Sequence, residues 1–197
     1  MENEVKEPAP KYSYVSPEEY LEMERASDTR HEYYQGEVYA MPGASLSHND
    51  IFRNVYGSLF SFLKRKDCKP YGSDLRIHIA ETNFYTYPDI SIICGKPEVD
   101  DAHKDHITNP VAIIEILSRS TKDYDRGTKF NLYRNIKSLQ EYILIDSTST
   151  SIEIYKRQTD NRWLLSEFKT ISESIEISTI GYRLHLKDVY EDVSFEE

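Results

Sequence analysis

The stretch that decides the fold of this chain is Asn109-Pro110-Val111-Ala112-Ile113-Ile114-Glu115-Ile116-Leu117. Its short β-branched run after a proline predicts a β-strand that is buried on both faces. A carboxylate is out of place there, because burying an unpaired ionised group costs several kcal/mol or more. Glu115 is therefore expected to be hydrogen-bonded, paired with a cation, bound to a metal, or carried on an uncovered part of the strand. Considered alone, it fits an internal salt bridge as well as a functional site.

A second acidic residue, Asp89, follows Pro88 and precedes the apolar run Ile90-Ser91-Ile92-Ile93-Cys94. By itself this arrangement is typical of a turn before a strand. Two neighbouring strands that each present one carboxylate bring like charges together, however, and such a pair either raises one pKa or binds a cation. Oxygen ligands favour Mg2+ or Mn2+, which also accept phosphate oxygens. Asp89 and Glu115 are thus the predicted metal ligands of a site for phosphodiester hydrolysis.

Lys129 completes the predicted site on the segment that follows the Glu115 strand. A compact ammonium beside the attacking water can hold that water and offset the negative charge of the transition state. For an isolated lysine the ordinary explanation is a solvated helix position, so this role depends on the two carboxylates. The predicted catalytic group is Asp89, Glu115 and Lys129.

Positive charge is concentrated around Lys129. Between residues 119 and 137 the basic residues are Arg119, Lys122, Arg126, Lys129, Arg134 and Lys137, opposed only by Asp123 and Asp125. Steps of three or four residues predict a helix with a basic stripe. The stripe would contain Lys122, Arg126, Lys129, Tyr133 and Lys137. The nucleic-acid contacts predicted on this segment are Lys122, Arg126, Arg134 and Lys137. The alternative is a solvated face on a helix that packs through its apolar side.

Further motifs occur in a specific order along the chain. They are Tyr33-Tyr34-Gln35-Gly36-Glu37-Val38-Tyr39, Ser47-His48-Asn49, Asp74-Leu75-Arg76-Ile77, Pro88-Asp89-Ile90, Glu115-Ile116-Leu117-Ser118 and Asp125-Arg126-Gly127-Thr128-Lys129-Phe130. This series resembles the Uma-type proteins, a restriction-endonuclease-like family within the PD-(D/E)xK nuclease superfamily. The superfamily at large places its lysine two residues after the second acid, where this chain has Leu117. The resemblance therefore assigns the lysine's role to Lys129.

The resemblance implies an α/β (α+β) fold with a restriction-endonuclease-like mixed β-sheet core flanked by helices. It also suggests that Glu37 and Asp74 support the site by orienting water or a second metal. The residues themselves leave simpler alternatives open. Glu37 follows Gly36 in an apparent hairpin turn, where a solvated acid is ordinary, and Asp74 follows Gly72-Ser73 and can cap a turn.

Length and composition predict one globular domain. The chain has 197 residues, of which 39% are hydrophobic, and this is enough for one full core. Its acid- and proline-rich beginning predicts a flexible segment at 1–12, followed by a single domain at 13–197. The net charge of −10 has the wrong sign for a protein that holds phosphate backbones without specificity.

The cysteines and the apolar stretches indicate the cellular compartment of the protein. Cys68 and Cys94 are too few, and too unlike a CxxC spacing, to predict a disulfide scaffold or a zinc site. No apolar stretch reaches the roughly 20 residues of a membrane span, and the N-terminus is unlike a secretory signal. These features predict a soluble cytoplasmic protein with no membrane partner.

Local patterns predict the order of the secondary structure. Ser16-Pro17-Glu18-Glu19 is typical of a capped helix start, Gln35-Gly36 of a hairpin, and the stripe from Ile51 to Leu63 of a second helix. Strands are predicted at 75–79, 90–94, 111–117 and 141–145. The helix between the last two strands predicts a right-handed crossover and a parallel pair in a mixed sheet. The two carboxylates would lie near the edge of that sheet core.

The C-terminal part and one polar loop complete the pattern. The runs at 152–155 and 163–168 predict a β-meander that extends the core sheet or forms a homodimer contact. In the segment from Asp100 to His106, His103 and His106 could meet on one helical turn, but a solvated loop is expected. Its position between the two carboxylate strands suggests a lid or a substrate contact. His48 could meet a phosphate at a helix N-terminus, although a capping or surface role is commoner.

Two functions follow from these predictions. The first is an endodeoxyribonuclease dependent on Mg2+ or Mn2+ that acts on DNA, with RNA also open as a substrate. The second is a non-catalytic nucleic-acid-binding or protein-interaction module on the same scaffold. The acidic net charge favours the second function somewhat, whereas the presence of all three key residue types favours the first.

Overall fold

A computed structural model describes residues 14–100 and 103–195 of the chain. Its helices are α1 (Pro17–Ala26), α2 (Leu46–Leu63), α3 (Lys122–Tyr124), α4 (Phe130–Tyr133) and α5 (Leu186–Val189). Its strands are β1 (His31–Tyr34), β2 (Glu37–Ala40), β3 (Cys68–Gly72), β4 (Arg76–Ile79), β5 (Phe84–Thr86), β6 (Ile90–Cys94), β7 (His106–Ile107), β8 (Ala112–Leu117), β9 (Glu141–Asp146), β10 (Ile152–Arg157), β11 (Trp163–Phe168), β12 (Ser174–Ile177) and β13 (Tyr182–His185). The flexible segment predicted at 1–12 lies outside the described residues.

The strands form two larger sheets and a separate hairpin. The larger sheet has the strand order β11-β10-β9-β8-β6-β3, and the smaller one has the order β2-β1-β5-β4-β7. Both combine parallel and antiparallel neighbours, since β8 pairs with β9 and β4 with β7 in parallel. The predicted mixed-sheet core flanked by helices is confirmed. The C-terminal meander of β10 and β11 continues the larger sheet beyond β9.

The first two helices begin as their sequences predict. Ser16 caps α1, its hydroxyl accepts from the Glu19 N–H, and the Glu19 side chain accepts from the Ser16 N–H in return. This reciprocal pair satisfies two amide groups that the helix cannot bond internally. Helix α2 buries one stripe, formed by Ser47, Ile51, Val55, Leu59 and Leu63, against the larger sheet. Both predictions are confirmed.

Strand β8 is buried on both faces, as its apolar run predicts. One face, which carries Ile114 and Ile116, packs in the same core as α2. The other face, which carries Ile113 and Leu117, packs in the core that contains α4. Because side chains alternate along a strand, Glu115 shares the second face. Its carboxylate therefore points toward the chain that crosses from β8 to β9.

The segment between β8 and β9 differs from the predicted basic helix. Helix α3 passes into a π-helical turn at Asp125–Lys129 and then into α4, which ends at Tyr133. The wider turn adds a residue to the helical repeat. Lys129 and Tyr133 are buried, Lys122 and Lys137 are exposed, and Lys137 lies beyond the helix. The prediction of one continuous basic stripe is therefore wrong.

The two acidic strands are interior strands of the larger sheet. Strand β6 pairs antiparallel with β8, and Ile90 lies opposite Ile114. Continuing this ladder by one residue places Asp89 opposite Glu115. This order agrees with the expectation that the carboxylates lie near a sheet edge, because only β3 lies outside β6.

Cys68 and Cys94 form a disulfide across the antiparallel pair β3 and β6. The number and spacing of the two cysteines did not predict this bond. The sequence did not reveal β3, because Pro70 lies within it and proline is confined to edge strands such as this one. The predicted cytoplasmic location therefore loses the support that the cysteine pattern gave it. No helix in residues 14–100 and 103–195 is long and apolar enough to cross a membrane.

Candidate active site

Two hydrogen bonds from backbone N–H groups to carboxylate oxygens hold Asp89 and Glu115 side by side. The Asp89 N–H donates to Glu115 Oε2 at 3.1 Å, and the Ile116 N–H donates to Asp89 Oδ2 at 2.7 Å. This arrangement follows from the register of β6 and β8, which places the two residues side by side. The structure thus brings together the two carboxylates that the sequence analysis proposed as metal ligands.

Lys129 reaches the same place from the π-helical turn. Its ammonium lies 2.9 Å from Glu115 Oε1, 3.1 Å from Glu32 Oε1 and 3.7 Å from Asp125 Oδ1. All four side chains are buried. Three carboxylates therefore surround one cation, and Asp89 adds a fourth acid next to Glu115. This excess of buried negative charge favours either a bound proton or a further cation.

Hydroxyl groups hold the acidic side chains in place. Tyr133 donates to Glu115 Oε1 at 2.8 Å, while Thr86 and Tyr124 donate to the two oxygens of Glu32 at 2.5 and 2.9 Å. Glu32 comes from β1 and Thr86 from β5 of the smaller sheet, so the cluster joins both sheets. Such a network stabilises one arrangement because each buried polar group has a partner.

Burial and neighbouring charges set the protonation of the cluster. Burial raises the pKa of Glu115 to about 8, and the charges of Asp89 and Asp125 act in the same direction against the effect of Lys129. Burial also raises the pKa of Asp125. Burial disfavours the charged forms of Lys129 and Glu32. The charges of Glu115 and Glu32 nevertheless raise the pKa of Lys129, and the charge of Lys129 lowers the pKa of Glu32. Glu115 is consequently the group that holds a proton near neutral pH.

His48 adds a titratable group beside Asp89. It lies in the first turn of α2, where its N–H donates to the Ser45 hydroxyl, and its Nε2 lies 3.2 Å from Asp89 Oδ2. Burial disfavours the imidazolium, but the hydrogen bond with Asp89 and the charges of Glu115 and Asp125 raise the pKa of His48. Ser45 and not His48 caps α2, so the capping role suggested for His48 is corrected, and its side chain contacts Asp89 instead.

The cluster opens into a cleft between α2 and the crossover segment. Its walls include Glu32, His48, Asp89, Glu115, Asp125 and Lys129. The rim is formed by Arg30, Tyr39, Ser73, Arg119 and Tyr124, among other residues. Asp89, whose side chain is 20% exposed, is more accessible from this cleft than the buried Glu32, Glu115 and Asp125.

The free oxygen positions of the acids fit a hard divalent cation. An ionised carboxylate offers about four lone-pair positions. Glu115 uses three of them, for Lys129, Tyr133 and the Asp89 amide, and Asp89 uses two, for Ile116 and His48. Asp89 Oδ1 has no hydrogen-bond partner within the described residues. The remaining oxygen donors are of the kind that Mg2+ and Mn2+ bind together with several waters.

The other predicted site residues lie outside this cluster. Glu37 accepts from the Tyr39 hydroxyl, and Asp74 pairs with Arg30. Tyr39 and Arg30 line the cleft. Glu37 and Asp74 therefore contact residues that line the cleft. Of the predicted nucleic-acid contacts, Arg126 is paired with Glu153 at 2.7 Å. Lys122, Arg134 and Lys137 are exposed.

Sequence reasoning missed two acids of the cluster, Glu32 and Asp125. Asp125 stands four residues before Lys129, a spacing that predicts an ion pair on a helix, but it was considered only as an acid that opposes the basic residues of the segment. Glu32 lies in the run His31-Glu32-Tyr33-Tyr34, which carries no signal for a partner in a distant segment. Only the packing of β1 beside the crossover segment reveals that contact.

Comparisons with known proteins agree with this fold. The family model of Uma2, described as "Putative restriction endonuclease", matches residues 17–187. Two proteins of Synechocystis sp., slr1290 and sll1609, are each 37% identical to this chain. The slr1290 alignment covers 95% of this chain and 97% of the relative, and the sll1609 alignment covers 81% and 90%.

A solved structure shows the same architecture. The crystal structure of "a putative nuclease belonging to DUF820" from Anabaena variabilis superposes with a TM-score of 0.73 at 18% identity. The match covers 89% of this chain and 97% of the other. At this identity the likeness concerns the fold, whereas the family match spans most of the sequence. The chain therefore belongs to the Uma2 family of restriction-endonuclease-like proteins.

Proposed function

We propose that this protein is an endonuclease that hydrolyses DNA phosphodiester bonds with the help of Mg2+ or Mn2+. The observation that carries this proposal is the convergence of Asp89, Glu115 and Lys129 in one open cleft. Membership of the Uma2 family supports the nuclease class. The excess of buried acid over base supports a role for a divalent cation.

Asp89 and Glu115 would hold the cation through their remaining oxygen positions. A bound Mg2+ or Mn2+ would lower the pKa of a water and neutralise charge on the phosphate oxygens. The hydrogen bonds that the Asp89 and Ile116 N–H groups donate fix both carboxylates before substrate arrives. This preorganisation limits the reorganisation that the reaction requires.

Lys129 would hold the attacking water. An ammonium has three N–H donors, and two of them are used at hydrogen-bond distance by Glu115 and Glu32. The contact with Asp125 at 3.7 Å is too long for a good hydrogen bond. One donor is therefore available to a water in the cleft, while the charge of Lys129 offsets negative charge on phosphorus oxygens.

DNA would approach across the rim of the cleft. Lys122, Arg134 and Lys137 are exposed on the crossover segment, and Arg126 would have to share its guanidinium with Glu153. Glu37 and Asp74 would act through Tyr39 and Arg30, which line the rim. RNA contains the same phosphodiester linkage, so cleavage of both nucleic acids has to be tested.

The salt bridges of Lys129 favour a second function. Because the ammonium already compensates Glu115 and Glu32, the cluster can persist without a metal. A non-catalytic module that binds nucleic acid or protein is consistent with this feature and with the net charge of −10. A homodimer formed through β11, which exposes Leu164 and Leu165 at the end of the larger sheet, remains a prediction, as does a cytoplasmic location.

Replacing Asp89 by asparagine is expected to lower metal-dependent cleavage by at least about 100-fold, because several kcal/mol of charge stabilisation are lost. Supercoiled plasmid, single-stranded DNA and RNA would be incubated with the protein and Mg2+, Mn2+ or a chelator. Asp160→Asn, in the exposed turn between β10 and β11, is the control and should cleave normally. Equal rates for the wild type and Asp89→Asn would reject catalysis by this site and favour the second function.

Binding of Mn2+ is expected to release a proton from Glu115. Because the pKa of Glu115 is raised to about 8, the acid is mostly protonated below that pH and must ionise to bind. The apparent affinity should therefore rise about tenfold per pH unit up to pH 8 and then level off. Calorimetric titration in buffers of different ionisation enthalpy would measure the proton count. An affinity that does not change with pH would contradict metal binding by Glu115.

A further inference from the structure

A second group of metal-ligating side chains lies on the smaller sheet, outside the carboxylate cleft. It consists of His78 on β4, His106 on β7, and Asp100 in the connection between β6 and β7. One ligand atom from each residue lies within 4.8 Å of the other two. Asp100 Oδ2 is 2.6 Å from His78 Nδ1, and Asp100 Oδ1 contacts His106 Nε2. The carboxylate therefore sits between two imidazole nitrogens.

Packing holds the two imidazole rings in fixed orientations. The His78 ring stacks on Tyr85, with 4.0 Å between the ring centroids and an interplanar angle of 7°. The rings of His78 and His106 are nearly perpendicular, at 86°. His106 is fully buried, and parallel pairing places it opposite Arg76 on β4. The nitrogen atoms thus converge because of the fold and not because of the loop alone.

The surroundings of His106 resemble those of a histidine that binds a metal. Its second nitrogen, Nδ1, lies 3.1 Å from Asp105 Oδ1. Asp105 is in turn held by Arg25 at 2.7 Å and Arg76 at 3.0 Å. Metal-bound histidines usually donate their other N–H to a carboxylate in this way, which fixes the tautomer. Nε2 of His106 is then the nitrogen that would bind an ion, in place of the proton through which it contacts Asp100.

This arrangement corrects the expectation for the polar loop. His103 is exposed and does not join the group, whereas His106 is buried in β7. The partner of His106 is His78, which lies far away in sequence and which a helical spacing rule cannot identify. The carboxylate of Asp100, in contrast, is more than one-third exposed, at 37%. An ion could enter from that side.

We propose that His78, Asp100 and His106 bind a transition-metal dication of the zinc class. Two imidazoles and one carboxylate are a donor set of Zn2+, with a fourth position left for water, whereas Mg2+ prefers oxygen alone. Zinc–ligand distances of about 2.0–2.1 Å imply ~3.3 Å between tetrahedral ligand atoms. The Asp100 oxygens lie closer than this to the two imidazole nitrogens, so the carboxylate would move outward to admit the ion. The bound ion would tie the connection between β6 and β7 to β4.

Zinc titration of the full-length protein tests this proposal. All proteins would carry Glu115→Gln to weaken binding in the cleft, and Zn2+ would be titrated in competition with a chromogenic chelator. We expect one saturable site, at least tenfold weaker binding for His78→Ala and for Asp100→Asn, and no change for His103→Ala, the exposed histidine of the same loop. Substituted Co2+ should show the intense visible bands of a tetrahedral site with nitrogen ligands.

Three results of the titration would overturn the zinc site. Absence of saturable zinc binding, or wild-type affinity in both His78→Ala and Asp100→Asn, would overturn the proposal. Equal weakening by His103→Ala would overturn it too, since it would indicate non-specific binding to the loop. If His78→Ala fails to fold, Asp100→Asn decides, because Asp100 lies on a partly exposed connection. The result does not depend on nuclease activity, so it is independent of the function proposed for the cleft.

Discussion

Replacing Glu115 by glutamine is expected to abolish metal-dependent cleavage and, at alkaline pH, to stabilise the folded protein. The loss of cleavage follows because glutamine removes the charge of one of the two acids that would hold the cation. The gain in stability follows from the buried position of Glu115, whose pKa is raised from 4.5 to about 8. A residue needed for stability would show the opposite effect.

The pH dependence of this stabilisation has a definite sign. Between pH 4.5 and 8 the folded protein holds a proton on Glu115 that the unfolded chain has released. Stability therefore falls as pH rises through this range, because the folded state binds more protons. Glutamine does not ionise, so Glu115→Gln should avoid this loss. The expected gain above pH 8 is on the order of 1–4 kcal/mol.

Urea unfolding at pH 5 and at pH 9 measures this difference. The free energy of unfolding should differ little between Glu115→Gln and the wild type at pH 5, and the variant should be clearly more stable at pH 9. Glu167→Gln, on the exposed face of β11, is the matched control and should change stability by less than about 0.5 kcal/mol at either pH. A loss of stability at pH 9, or cleavage that persists in Glu115→Gln, would show that Glu115 is a structural salt-bridge residue instead.

Much of the site could be predicted from local sequence because its carboxylates occur where apolar or turn residues are expected. Glu115 stands out in an apolar strand, and Asp89 stands out only once β6 is recognised as the neighbour of β8. Functional sites are where such conflicts between pattern and residue are expected. The order of β8, crossover segment and β9 then follows from the right-handed crossover rule.

The remainder of the site depends on contacts that no local pattern carries. Glu32 reaches Lys129 from the other sheet, and the disulfide depends on a strand that contains a proline. The π-helical turn was also missed, since steps of three and four residues fit an ordinary helix equally well. That turn places Lys129 inward, whereas the prediction made it part of one continuous basic stripe.

Replacing Lys129 by methionine is expected to destabilise the fold by about 3–5 kcal/mol, because it leaves buried carboxylates without their cation. Methionine keeps much of the volume of the side chain, so the effect reports charge rather than a cavity. The loss of stability caused by Lys129→Met should become smaller as pH falls, since Glu115 and Asp125, with their raised pKa values, become neutral first. Lys122→Met, exposed on the same segment, should change stability by less than about 0.5 kcal/mol.

A double-mutant cycle identifies the partner of this charge. Adding Glu115→Gln to Lys129→Met should recover part of the lost stability, because glutamine stays neutral without taking up a proton or needing a cation. The two residues lie 2.9 Å apart, and side chains in contact usually show coupling energies of about 0.5–3 kcal/mol. Strictly additive effects would contradict a direct ion pair.

The same variant separates catalysis from folding. With Lys129 absent, Mn2+ should raise the melting temperature of the variant more than that of the wild type, because the ion meets a more negative site. If the metal-stabilised Lys129→Met protein is folded but fails to cut DNA, Lys129 acts on the attacking water. If it cuts at the wild-type rate, the ammonium serves only to compensate the buried acids, and the catalytic role has to be withdrawn.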